Sequence, residues 1–271
     1  MKVIVHTFYT SDPVWEKIGG ASAELTKIWA NRHGYIHEIH RERVWKATPS
    51  ITWEKIRILK ESIPNHPDAD WHIFIDADMY ITNPSLSLEK ILPNMERAMY
   101  VGSDWNFPLN TGFVCLSRQA VPVLDALKEL RFSKAYGYFE QGTLEVIREL
   151  SDRWMKQVVP LQPRVCNSYP PNPREKWEGN WRKGDFVVHF AGWKKNEVLD
   201  FISPIFGKQF PKLLNKLLIE IRKEIVMGKP SRGLGDTIKK ITERLGIEQC
   251  GGCKRRQSKL NKIFPYQKDN S

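Results

Sequence analysis

No stretch of about 18 consecutive apolar residues occurs in this 271-residue chain, and its opening, MKVIVHTFYTSD, holds only a short apolar run, so neither a membrane span nor a signal peptide is indicated. A soluble, cytoplasmic protein is the expectation. Cysteine is scarce: of Cys115, Cys166, Cys250 and Cys253 only the last two are close together, which excludes the disulfide framework of a small secreted domain and fits a reducing compartment. No internal repeat is apparent. Acidic residues are in deficit, 31 Asp and Glu against 42 Lys and Arg, for a net charge of +11. That excess is uneven, because residues 201–271 carry 16 basic and 6 acidic side chains and leave the body nearly neutral. An anionic partner or surface for the tail follows, and little about the body.

The length suits one α/β domain of about 200 to 250 residues with an appendage. VIVHTFY reads as a buried strand, followed by Asp12 as a helix cap, Pro13 at the first helical position, a helix over 13–32 and a stop near His33-Gly34. YIHEIH alternates as a strand, ITWEKIRILKESI has helical spacing, and WHIFIDAD is a further apolar strand. AMYVGSD, GFVCLS and DFVVHF read as strands, and VPVLDALKELR and EQGTLEVIRELS as helices. Such alternation predicts a mostly parallel sheet covered by helices on both faces, with ligands at the carboxyl ends of the strands. The Pro-, Asn- and Trp-rich segment 166–184 reads as a long ordered loop, and 211–227 as an amphipathic helix with a basic face that also suits an anionic membrane surface.

The chemistry gathers where WHIFIDAD ends. Residues two apart in an extended segment point the same way, so Asp76 and Asp78 can present two carboxylates to one point. Their repulsion is relieved by a cation, and hard oxygen ligands favour Mg²⁺ or Mn²⁺; the alternative is a pair of capping or loop aspartates. In DFVVHFAGWKK, His189 ends a strand and can complete such a site, Gly192 allows close backbone approach, and the lysines suit phosphate. A metal on two Asp and one His, with a nearby lysine, fits a diphosphate leaving group, in hydrolysis or in group transfer. Tyr9 and Thr10, at the end of the first strand, are positioned to contact a nucleotide. Trp177, Trp181 and Trp193 are candidate sugar or base platforms, or core, and the loop that holds the first two is the candidate acceptor lip.

In order along residues 3–200, ELTKIWANRHGY, TWEKIRILKESIPNHPDADWHIFIDADMYITNPS, LNTGFVCLSR, FEQGTLEVI and GDFVVHFAG resemble the GT-A glycosyltransferases related to plant galactomannan galactosyltransferases, xyloglucan xylosyltransferases and fungal Golgi α-mannosyltransferase subunits. The resemblance implies a GT-A fold, Rossmann-like with a mostly parallel central sheet, and retaining transfer from a UDP- or GDP-sugar with Mn²⁺ (or Mg²⁺). Through it, Asp76 and Asp78 match the family's DxD, His189 its late metal-binding histidine, and Lys194 a lysine near the diphosphate. Asn110, Thr111 and Gly112 match the segment approaching the donor sugar, Glu140 and Gln141 the acidic residue and glutamine beside the anomeric centre, and Lys55 a helical lysine facing the nucleotide. A retaining transfer needs a group that stabilises or attacks an oxocarbenium-like centre, and Glu140 could serve either way. Two departures stand out: Trp193 replaces the family's cysteine after HFAG, and no counterpart of the membrane anchor of eukaryotic members is expected.

The expected organisation is a catalytic domain over 1–205, a basic amphipathic helix over 206–228 and a basic tail over 229–271 with a CGGC motif. Cys250 and Cys253 supply only two ligands of a structural zinc site and lack the context of a redox motif. The tail resembles a short module found on tailed-bacteriophage proteins, which implies a virus-encoded enzyme in a host cytoplasm, acting on modified DNA, a virion protein or a glycan. DNA suits the tail's basic balance. The competing readings are an inactive sugar-nucleotide-binding or scaffold protein, and a nucleic-acid-binding protein in which the DxD is incidental.

Overall fold

The computed structural model describes residues 1–104, 108–132, 139–170 and 179–192. All belong to the first of two units, Met1–Asn215 and Lys216–Ser271. Lys194, Trp177, Trp193, the 211–227 helix and the CGGC tail lie outside the described residues.

The chain begins with β1 (Val3–Phe8), buried along nearly its whole length, and α1 (Pro13–His33). The Asp12 carboxylate accepts from the amides of Val14 and Trp15 at 3.0 and 3.3 Å, satisfying donors that have no partner inside the helix. Gly34 ends the helix in the left-handed region, φ 71°. Strand β2 (Ile36–His40) follows, then a 3₁₀ turn Ile51–Trp53 leading into α2 (Glu54–Asn65), then β3 (Trp71–Ile75) and β4 (Met79–Ile81). The short helix α3 (Leu88–Ile91) precedes β5 (Met99–Gly102), β6 (Asn110–Leu116) and α4 (Val121–Leu130). Helices α5 (Phe139–Glu149) and α6 (Asp152–Gln157), strand β7 (Val158–Leu161), α7 (Pro163–Cys166) and β8 (Val187–His189) complete the described elements.

Six strands form one sheet in the order β2-β1-β3-β6-β5-β7, and β4 pairs with β8 in a separate two-stranded sheet. All pairings in the large sheet are parallel except those of β6, which runs against both β3 and β5. Alternation of side chains splits the core in two. Trp71, Ile73 and Ile75 of β3 and Phe113 of β6 pack with Trp29 on one face, while Phe74 and Val114 meet Trp53, Leu59, Leu124 and Leu144 on the other.

The reversal of β6 matters most for the site. It brings Asn110–Gly112, the first residues of β6, beside the carboxyl end of β3, where the Asp76 amide donates to the Gly112 carbonyl at 2.8 Å. The segment after β3 corrects one expectation, because Asp76-Ala-Asp78 is a turn rather than an extended stretch. Met79 N–H closes it onto the Asp76 carbonyl at 3.1 Å, and the next residues start β4. The strand ends there because the chain leaves the large sheet to pair with β8, with Met79 opposite His189. Cys115 and Cys166 are buried free thiols, and burial pushes both pKa values up, which keeps them unreactive at neutral pH.

Replacing Asp12 with Ala is expected to lower stability by about 1 kcal/mol, the usual worth of such a cap. Urea denaturation checks this, and an unchanged midpoint would show that the cap contributes nothing.

Candidate active site

Asp76, Asp78 and His189 converge, with one ligand atom of each lying within 4.8 Å of the other two. Three separate elements hold the DxD turn from different sides. Gly112 of β6 binds the Asp76 amide, the Phe190 amide donates to the Asp78 carbonyl at 3.0 Å, and the Ser22 hydroxyl of α1 donates to the Met79 carbonyl. The carboxylates repel, and burial adds to the cost of charge. Burial pushes the Asp76 pKa up to about 6, with Asp78 adding to the rise and the Lys55 ammonium opposing it. Burial also works against the Asp78 charge, but His189, 3.3 Å away, outweighs it and holds that pKa below its ordinary value.

The protonation of His189 follows from its neighbours. The Ser103 carbonyl can only accept, so the Asn167 atom 2.7 Å from it is Nδ2, and Oδ1 is left facing His189 Nδ1. His189 therefore donates from Nδ1 to Asn167 and turns Nε2 toward Asp78, the nitrogen left for a further proton or for an ion. This is the arrangement of a metal-ligating histidine held by an outer partner. Gly112 lies under the same ring, where a Cβ would sit 2.6 Å from His189 Cε1 and 3.0 Å from Met79 Sδ. Only glycine leaves the imidazole its place. Two oxygens and one imidazole nitrogen, deprotonated toward a common point, fit a divalent ion of the Mn²⁺ or Mg²⁺ type.

Lys55 is buried instead of solvated. Its Nζ lies 2.8 Å from Asp76 Oδ1, 3.3 Å from Glu140 Oε1 and 2.8 Å from the Thr111 carbonyl, which occupies its three donors within the protein. Burial alone would lower its pKa, but Asp76 and Glu140 more than offset that and the pKa is raised, so the ammonium stays charged. Glu140, at the start of α5, is buried as well. It accepts from Thr111 Oγ1 at 2.9 Å and from the Thr52 hydroxyl, in addition to Lys55. Phe139, just before it, has φ 55°, a left-handed conformation uncommon for an aromatic residue.

Two adjoining cavities of about 200 and 240 Å³ share Thr52, Lys55, Asp76 and Asp78. The first is lined by Phe8, Tyr9, Thr10, Trp15 and Phe74. The Tyr9 ring is seated against α1 at Gly19, where a Cβ would fall 2.4 Å from it, and the Arg41 guanidinium lies over the ring, 4.2 Å from its centroid. The second cavity is lined by Asn110, Thr111, Gly112, Glu140, Gln141, His189 and Gly192. Gly192 has a left-handed φ of 73°, a conformation that favours glycine, and no atom of the described residues lies within 4 Å of its missing Cβ. The Asn110 side chain is used internally, accepting from the Gly112 amide at 2.9 Å and donating to Asp104 at 3.1 Å. The Trp181 indole N–H donates to Thr82 at 3.0 Å, which ties this tryptophan to β4. Thr52, Asn167 and Trp15 were not legible as site residues: each sits in a helix or turn that no motif marks, and joins the site only by tertiary contact.

Residues 17–106 match the galactosyl transferase GMA12/MNN10 family. The probable alpha-1,6-mannosyltransferase MNN10 of Saccharomyces cerevisiae is 25% identical, with 65% of this chain and 55% of the relative covered. An uncharacterized alpha-1,2-galactosyltransferase of Schizosaccharomyces pombe is 26% identical, covering 66% of this chain and 64% of its own length. The chain thus spans little more than half the length of these relatives. Among solved structures, a glycosyltransferase involved in the glycosylation of the major capsid of PBCV-1 superposes with a TM-score of 0.60 at 16% identity, over 73% of this chain and 96% of that one. The fold is of the GT-A glycosyltransferase type.

Asn167→Ala and Gly112→Ala are each expected to weaken Mn²⁺ binding about 10- to 100-fold without unfolding the chain, the first by freeing the imidazole and the second by displacing it. Calorimetric titration with Mn²⁺, beside a circular dichroism spectrum, checks both. Wild-type affinity in either variant would remove that residue from the support of His189.

Proposed function

We propose that this chain is a metal-dependent glycosyltransferase that moves a hexose from a nucleotide-sugar donor to a glycan hydroxyl with retention of configuration. The observation that carries the reading is that Asp76, Asp78 and His189 converge where two cavities meet, one aromatic-walled and one polar. In this reading the nucleoside lies against Tyr9, Thr10 and Trp15, the diphosphate at the carboxylate–histidine cluster, and the sugar beside Thr111, Gly112 and Gln141. A bound Mn²⁺ or Mg²⁺ would neutralise charge growing on the departing diphosphate oxygen. Sequence similarity to the GMA12/MNN10 family supports the donor class. The relatives' names specify alpha linkages, and an alpha product from an alpha-configured donor is retention.

The surroundings of Glu140 favour one form of that reaction. Three donors hold its carboxylate, which disperses its charge and fixes it to Lys55, Thr52 and Thr111, so it is poorly suited to attack a sugar carbon. A front-face displacement fits better. The acceptor oxygen bonds to the anomeric carbon on the side from which the diphosphate leaves, the glycosidic C–O bond to phosphate breaks, and the acceptor proton passes to the departing phosphate oxygen. Glu140 and Lys55 then set the local field, and Gln141 can offer a hydrogen bond to the sugar.

A panel of UDP- and GDP-hexoses with Mn²⁺, read by nucleotide release, tests the proposal. One donor is expected to turn over, and Asp76→Ala and Asp78→Ala should each cut kcat/KM roughly 100- to 1,000-fold, the scale of losing a principal charge-stabilising group. Release from no donor, or full activity in Asp78→Ala, would contradict it.

A further inference from the structure

A second cluster of ligand atoms lies on the α2 face of the sheet. His6 of β1 is fully buried, and Glu38 and His40 of β2 are partly exposed. Strand register explains their meeting: His6 pairs with Glu38 in the parallel β1–β2 ladder, and His40, two residues on, points to the same face. His6 Nδ1 lies 3.1 Å from His40 Nε2 and 3.3 Å from Glu38 Oε2, and the last two atoms are 3.9 Å apart. A tetrahedral ion with bonds of 2.0 to 2.1 Å keeps its ligand atoms about 3.3 to 3.4 Å apart. The three separations bracket that spacing.

We propose that His6 Nδ1, His40 Nε2 and a Glu38 carboxylate oxygen form a second metal site, selective for an ion of the zinc class. Two imidazoles and one carboxylate suit Zn²⁺, whereas the oxygen-rich Asp76–Asp78–His189 set suits Mn²⁺. The outer partners are those of a ligand set. His6 Nε2 lies 2.8 Å from Ser62 Oγ, which is 2.7 Å from His72 Nδ1; a proton relay in that order leaves the His6 Nδ1 lone pair for the ion. In that tautomer the His6 lone pair, the Glu38 oxygen and His40 Nε2 face one another, and a cation among them would join all three. The other Glu38 oxygen accepts from His66 Nε2 at 2.8 Å, which orients the carboxylate. Glu38 and His40 are partly exposed, so water could supply a fourth ligand.

Such an ion would tie the edge strand β2 to β1 beside the first cavity. The His40 carbonyl accepts from the Tyr9 amide at 3.2 Å, so holding His40 also fixes the point at which Tyr9 leaves the sheet.

The test uses the full chain in an Asp78→Ala background, stripped with chelator, reloaded with Zn²⁺ and passed through a desalting column before metal analysis. One tightly held equivalent is expected. It should be lost in His40→Ala and in the near-isosteric Glu38→Gln, weakened about 10- to 100-fold by His66→Ala, and kept when Cys250 and Cys253 are both replaced by Ser. Circular dichroism establishes that each variant is folded. No retained zinc, or zinc that persists in folded His40→Ala and Glu38→Gln, would overturn the proposal.

Discussion

Two carboxylates share one buried ammonium at the carboxyl ends of the central strands while a third faces a histidine, and the surplus negative charge is the constraint on which the site depends. Asp76, Asp78 and Glu140 gather around Lys55 and His189, so two negative charges are left uncompensated when the imidazole is neutral. In a partly desolvated cleft such charge is costly. The raised Asp76 pKa, about 6, expresses that cost. A single divalent cation would balance the site, and under the proposed function it would also offset the charge that a nucleoside diphosphate brings.

The fold serves this arrangement through the reversal of β6 and the departure of the chain into β4. Without the reversal, Thr111 and Gly112 would lie at the far end of the sheet from Asp76. Pairing of β4 with β8 sets His189 opposite Met79, next to Asp78, while Asn167 fixes the ring's proton. Lys55 and Thr52 arrive from α2 and the turn before it and Glu140 from α5, all on the Phe74 face, whereas β4 and β8 pack on the Trp29 face, so both sheet faces contribute. The cluster at His6, Glu38 and His40 uses the same sheet differently: parity of two adjacent parallel strands, rather than strand ends, brings its ligands together.

Much of this was legible in the sequence because its causes are local. Asp12-Pro13 and Gly34 bound the first helix by capping chemistry, and WHIFI is apolar but for His72 because the strand is buried on both faces. Asp76, Asp78 and His189 stood out as carboxylates and a histidine ending apolar runs. The conformation between the aspartates was misread as extended, because the exchange of one sheet for another at residue 76 depends on β8, more than a hundred residues away. Lys55 offered no signal of burial, since its partners come from β3, β6 and α5. Asn167 and Thr52 act only through contacts with side chains distant in sequence, and no spacing pattern marks them.

The most direct measurement is an anomalous difference map from crystals of the full chain soaked with Mn²⁺ and a nucleoside diphosphate, recorded at the manganese edge. The account predicts a peak bonded to Asp76, Asp78 and His189 Nε2, with diphosphate oxygens completing the shell and the nucleoside against Tyr9. A nucleotide bound in that cleft with no manganese peak at those three residues would contradict it.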